Sequence, residues 1–158
     1  MLEIIKHPNK ILRQKSKEID LNQISSLEFK KFIKEMSETM LKKDGAGLAA
    51  PQVGQNIRLI IINRNNKPVI MINPQITKKS WAKEIDQEGC LSVVDEDDEI
   101  YYLPVARHKK LNCIYFDEKG QRKKIEADKL IARVIQHEID HLDGILFIDR
   151  AEKNEEQI

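Results

Sequence analysis

The chain has 158 residues, 41% of them apolar and 34% charged, with 27 Lys and Arg against 26 Asp and Glu. That length supports one core rather than two, so residues 1–150 are expected to form a single domain and residues 151–158 a short polar tail. The net charge of +1 argues against a dedicated nucleic-acid binder, and the longest apolar runs fall well short of the roughly 18 residues of a membrane span. Two cysteines, Cys90 and Cys113, cannot build a disulfide framework. The N-terminal segment carries charge and a proline where a signal peptide needs a long apolar stretch. The chain is therefore expected to be cytoplasmic, with reduced thiols.

In chain order, a short helix is predicted after His7-Pro8, with Asn9 as its cap before Ile11 and Leu12. Over residues 25–43, Phe29, Phe32, Ile33, Met36 and Met40 recur at i, i+3, i+4, i+7 and i+11, one apolar stripe of an amphipathic helix. Ser25 or Ser26 can cap its start and Gly45 suits its end. Residues 45–54 superficially match G-x-G-x-x-A, but a dinucleotide fingerprint must follow a strand and open a helix. Here the segment follows a helix and leads through Pro51 and Gly54 into a strand. It reads instead as a small-residue loop lying close to a substrate, with Gln52 able to donate to an oxyanion.

Strands are expected over residues 57–62, 69–72 and 110–116, with Asp117-Glu118-Lys119-Gly120 as a hairpin turn into residues 121–126. The acidic run of residues 95–99 reads as a solvated loop. A second helix is predicted over residues 128–142, stopped by Gly144. Strands clustered between two helices predict an α+β fold, with mixed or antiparallel sheets packed around the second helix.

That helix carries the strongest chemical signal, Gln136-His137-Glu138-Ile139-Asp140-His141. His137 and His141 are one turn apart and can face one metal ion, and Glu138 beside them can take a proton from water. A hydrolytic metal site needs a third protein ligand and an open position. The extended pattern H-E-x-x-H-x-x-G-x-x-H fails at its last slot, which is Phe147, and little chain follows His141. The third ligand is therefore sought upstream, among His7, His108, Cys90, Cys113 and several carboxylates. Cys90 follows a glycine in Glu88-Gly89-Cys90-Leu91-Ser92, whereas Cys113 sits in an alternating run and reads as a small buried residue.

Three segments in order, Gly45 to Gln52, Glu88 to Ser92 and Gln136 to His141, resemble the peptide deformylase family. That family is marked by a G-x-G-x-A-A-x-Q loop, an E-G-C-L-S segment and a Q-H-E-x-D-H helix. The opening His7-Pro8-Asn9-Lys10-Ile11-Leu12-Arg13 is similar to the family's as well. The resemblance implies Cys90, His137 and His141 as ligands of one divalent metal ion, with water in the fourth position. Ferrous iron is the metal it favours, with zinc, nickel or cobalt found in its place. It implies Glu138 as general base and then general acid, Gln52 and the backbone N–H of Leu91 as oxyanion donors, and Gly47 as a contact to the substrate backbone. It places Ala46 at the wall of a methionine pocket, for which helical spacing offers Leu130 and Val134 on the His137 side.

The implied activity is hydrolysis of N-formylmethionyl nascent peptides to formate and a free amino terminus, near the ribosome exit, with no dedicated nucleic-acid binding and no membrane partner. The sequence departs from the family at Val94, where many members have proline. It departs again at Val105, where arginine commonly follows Pro104; Arg107 stands two residues later, which leaves the charge partner of Glu88 open. Two other classes compete: a metallopeptidase of H-E-x-x-H type, disfavoured by Phe147, and a catalytically idle metal-binding homologue, disfavoured by the retention of Glu138.

Overall fold

Residues 59–62, Leu-Ile-Ile-Ile, are apolar without alternation, the pattern of a strand covered on both faces. In the computed structural model, which describes residues 1–152, this run opens strand β2 (Leu59–Arg64). It lies in a five-stranded antiparallel sheet with β1 (Gly47–Ala49), β3 (Lys67–Lys79), β6 (Lys110–Phe116) and β7 (Arg122–Asp128), in the order β1-β2-β3-β6-β7. Because strand side chains alternate, Ile60 and Ile62 join Met71, Leu111 and Cys113 on one face, while Leu59 and Ile61 join Ile72 on the other. Helix α1 (Leu27–Lys42) covers the second face with Ile33, Met36 and Met40, and helix α2 (Lys129–Leu142) covers the first with Ala132, Ile135 and Leu142. All of these core side chains are buried, and the α+β expectation holds in its antiparallel form.

Local chemistry sets the element ends. The Ser26 hydroxyl accepts from Phe29 N at the start of α1, and the Asn9 side chain accepts from Ile11 N at a 3-10 turn over Lys10–Arg13. Gly144 follows α2 with φ 73°, the left-handed stop that glycine takes without a Cβ clash. Asp117 closes the β6–β7 hairpin by accepting from Lys119 N and Gln121 N.

Several elements differ from the sequence expectation, and β3 runs over Lys67–Lys79 where a strand over residues 69–72 was expected. Residues 47–49 form β1 and Ala50–Val53 a 3-10 turn, where a loop was expected. Two strands were not expected at all: β4 (Lys83–Glu88) and β5 (Leu103–His108) pair as a separate two-stranded sheet. In β4 five of six residues are exposed, so no apolar alternation marks it. The third apolar cluster, with Leu12, Val93, Val105, Leu146 and Phe147, lies under this small sheet and includes Cys90. A four-residue helix, α3 (Phe147–Arg150), closes it. Of the proposed tail, Ala151 bridges to Val105 and Glu152 N donates to Pro104 O; residues 153–158 lie outside the described residues. No helix among the described residues is long and apolar enough to cross a membrane.

Candidate metal centre and active-site cavity

Helix α2 has three working faces. One packs on the large sheet, one carries Arg133, His137 and His141 toward the small sheet, and between them Val134 and Glu138 face β1. The last contact is close. A Cβ on Gly47 would stand 2.6 Å from Glu138 Oε1 and 2.8 Å from Val134 Cγ1, so only glycine lets β1 approach the helix here.

The segment after β4 brings Cys90 to the helix. Ligand atoms of Cys90, His137 and His141 all lie within 4.8 Å of one another, and Cys90 Sγ is 3.3 Å from His141 Nε2. Two neighbouring ligands on a tetrahedral ion stand about 3.5 Å apart, so the spacing suits one metal. Of the candidate third ligands, His7, His108 and Cys113 are not in this group; Cys113 is buried in the core, with its thiol pushed up to about 11 by burial.

Behind His137 the polar groups are fully paired. His137 Nδ1 donates to Glu88 Oε2 over 2.9 Å, which directs Nε2 at the metal group. Glu88 also accepts from Arg107 Nε at 2.8 Å and Nη2 at 3.0 Å, and from Arg133 Nη1 at 2.8 Å. Arg107 and Arg150 both donate to Asp140 on the same helix. Burial pushes the Glu88 carboxyl up, but hydrogen bonds from Arg107 and His137 outweigh it and hold it down at about 2. The charge partner of Glu88 that the departure at Val105 left open is therefore Arg107. Residues 105 and 107 share one face of β5, and a shift by two keeps the guanidinium on the inner side. The period of 2 was the signal available in the sequence.

In front of His137 lies a cavity of about 400 Å³. Ala46, Gly47, Gln52, Leu91, Leu130, Val134 and Glu138 all line it, so the structure gathers every expected substrate-side residue. Leu130 sits at the mouth, 63% exposed. Ile100 and Tyr102 form a wall that sequence reasoning missed, because they follow the acidic run rather than any motif. Gln52 is aimed by its neighbours: its Oε1 accepts from Ala49 N at 2.9 Å, which turns Nε2 toward Ser92 Oγ at 3.2 Å and Cys90 Sγ at 3.5 Å. Glu138 is buried with Oε2 unpartnered, and burial pushes its carboxyl up to about 7. Phe147 stacks on the His137 ring at 6.1 Å, so the slot that cannot ligate serves as a wall. The acidic run is exposed and closes on itself, with Asp97 N and Glu99 N donating to Asp95.

A thiolate and two imidazoles suit a divalent transition metal. The surroundings agree. Burial alone would lower the His137 pKa, yet hydrogen bonds to Cys90 and Glu88 raise it to about 10, so the pocket favours a positive charge at that place. His141, by contrast, is held well below its ordinary value by burial and by His137, as a neutral imidazole with Nδ1 buried and unpartnered. The residues fit a metal ion.

The polypeptide deformylase family model matches residues 1–157. The chain belongs to that family. It is 45% identical to a peptide deformylase of Picosynechococcus over 91% of this chain and 75% of that one. The solved peptide deformylase of Thermotoga maritima superposes with a TM-score of 0.88 at 36% identity, covering 97% of this chain and 99% of the other. The deformylase of Synechococcus elongatus, solved with actinonin, gives 0.88 at 41% identity over 97% and 80%. The chain is thus an enzyme of formyl-group removal from nascent polypeptides, in a family whose activity is metal-dependent.

Proposed function

We propose that Cys90, His137 and His141 hold one divalent ion, ferrous iron in the cell, with zinc, nickel or cobalt able to replace it in purified protein. The observation that carries this reading is the convergence of those ligand atoms within 4.8 Å, beside a buried carboxylate with an unpartnered oxygen. When bound, such an ion supplies Lewis-acid polarisation of the formyl oxygen and acidifies water.

The protein's own residues do the rest. Glu138 takes the proton of the attacking water and passes it to the leaving amine; an ordinary value lifted to about 7 suits a group that must both accept and give. Gln52 Nε2, fixed by the Ala49–Gln52 hydrogen bond, and the N–H of Leu91 donate to the developing oxyanion. Gly47 offers backbone to the substrate peptide, and Val134, Leu130 and Ala46 surround its methionine side chain. Glu88, backed by Arg107 and Arg133, fixes the His137 tautomer. Residues 1–150 act as one catalytic domain in the cytoplasm, and the substrate is met near the ribosome exit.

The test is anaerobic iron-loaded protein assayed against a formyl-Met tripeptide. Formate should appear in step with new free amine. No formate with iron, nickel, cobalt or zinc would overturn the reading, and cleavage of internal bonds in an unformylated peptide would revive the metallopeptidase.

A further inference from the structure

The chain's charge is sharply segregated. Residues 84–99 carry eight carboxylates and no Lys or Arg, while residues 78–83 and 107–110 carry cations and no carboxylate. The fold collects those cations at one end of the small sheet. Ser80 N donates to Lys110 O at 2.8 Å, Lys109 N to Ala82 O at 3.0 Å and Lys129 N to Lys109 O at 3.1 Å, which locks the β3–β4 turn, the β5–β6 turn and the start of α2 together. Lys79, Lys83, Lys109 and Lys129 are all exposed there, and none forms an ion pair among the described residues. Asp128 opposes Lys110 in the β6–β7 register and is the carboxylate nearest in sequence to Lys129. At the centre stands Trp81, the chain's one tryptophan, 88% exposed. Lys79 and Lys83, on either side of it in sequence, also line a polar cavity of about 340 Å³ with Arg58, Arg150, Asp140 and Asp143.

We propose that this turn cluster docks single-stranded RNA, with an unpaired base stacked on Trp81 and the flanking phosphates on Lys79, Lys83, Lys109 and Lys129. An aromatic face set among cations is the arrangement that binds unpaired nucleic acid, since every base has a π-face and every linkage a negative charge. A lipid surface fits less well. Trp81 is flanked by Ser80 and Ala82 and lacks the apolar face that a membrane-seated element buries. The net charge of +1 averages this patch against the acidic stretch. None of the five residues lines the catalytic cavity, and the cavity lined by Lys79 and Lys83 lies against Gln136, Ile139 and Asp140, away from Val134 and Glu138 on α2. RNA as the partner rests on the proposal that substrate is met near the ribosome.

Trp81, as the chain's one indole, reports the test. Full-length protein is titrated with an unstructured RNA of about 12 nucleotides, with a duplex RNA and with phosphatidylglycerol vesicles in parallel. Saturable quenching by the single strand is expected, weakening about fifty-fold between about 50 and 200 mM salt if four phosphates are neutralised. Lys83→Glu with Lys109→Glu should weaken binding at least about tenfold. Trp81→Ala, followed by anisotropy of labelled RNA, should weaken it about five- to 150-fold, the range of one stacked base. Both variants should release formate from free formyl-Met peptide at the unaltered rate. Binding of RNA without formate release would overturn the catalytic reading and leave the docking surface standing. No saturable quenching, binding that survives the double reversal, duplex bound as tightly as single strand, or vesicles bound in place of RNA would each overturn the surface.

Discussion

The two sides of the His137 ring are built on opposite rules. Behind it, Glu88, Arg107, Arg133 and Asp140 are buried and paired throughout, and the Glu88 carboxyl is held down at about 2. In front, Glu138 is just as buried but keeps an unpartnered oxygen, and its carboxyl is pushed up to about 7. Burial raises both acids; the difference is the hydrogen bonds and charge that Arg107 and His137 bring to Glu88. A carboxylate locked by cations positions its neighbour and gives up its chemistry, whereas one left without a partner keeps a proton affinity near neutral pH.

The largest break in that contrast should come from the front. Glu138→Ala is expected to lower formate release by about 10²- to 10⁴-fold while metal per chain stays unchanged, as read by formate assay and metal analysis. Since Glu138 works as a carboxylate, kcat/KM of the parent enzyme should fall on the acid side, at a pH below the value of about 7 to which burial lifts the group, because the bound cation favours its charged form. A flat profile from pH 8 to about 5 would remove Glu138 as the base. Next in size, Cys90→Ala deletes a ligand and should strip the metal during dialysis, the loss of rate following the loss of metal.

Arg107→Met probes the back. It leaves two buried carboxylates short of a partner and should lower stability by about 3–5 kcal/mol in urea and metal affinity about 10- to 100-fold. The pH sign is fixed by Glu88. Its folded value lies below the ordinary 4.5, so its contribution is present above that value and is lost as pH falls toward about 2. In Arg107→Met that acid-linked loss should shrink. The smallest effect concerns Ala46, which leaves the pocket wall low. Formyl-Met should be preferred to formyl-Phe only modestly in the parent, and Ala46→Ile should sharpen the ratio by about 1–3 kcal/mol in specificity constants. A parent preference of many thousandfold would mean that the pocket is closed by another group, with Tyr102 the nearest candidate.

Much of this was legible in the chain. Helix α1 showed itself through its apolar stripe and cap, and β6 through alternation, because each of those elements buries one face against a neighbour. His137, Glu138 and His141 could be grouped because one helical turn brings i and i+4 together whatever surrounds them. Strands β4 and β5 escaped. β4 is held by backbone pairing to β5 and by the Glu84 carbonyl, which accepts from Arg133, so its side chains carry no period. Arg107 was visible as a residue but not as a partner.

The sequence by itself determined the residues whose relations are local: two imidazoles and a carboxylate on one helix, a glycine at Gly47, the caps and the strand β2 buried on both faces. The segments around them already set Cys90 apart from Cys113, and the tertiary structure added the distances, carrying Cys90 to the histidines and Cys113 into the core. Only the tertiary structure decided which arginine neutralises Glu88 and why two buried acids titrate on opposite sides of their ordinary value. Those outcomes depend on distances between segments far apart in the chain, and a charge or a ligand acts over a few ångströms of space, not over sequence separation.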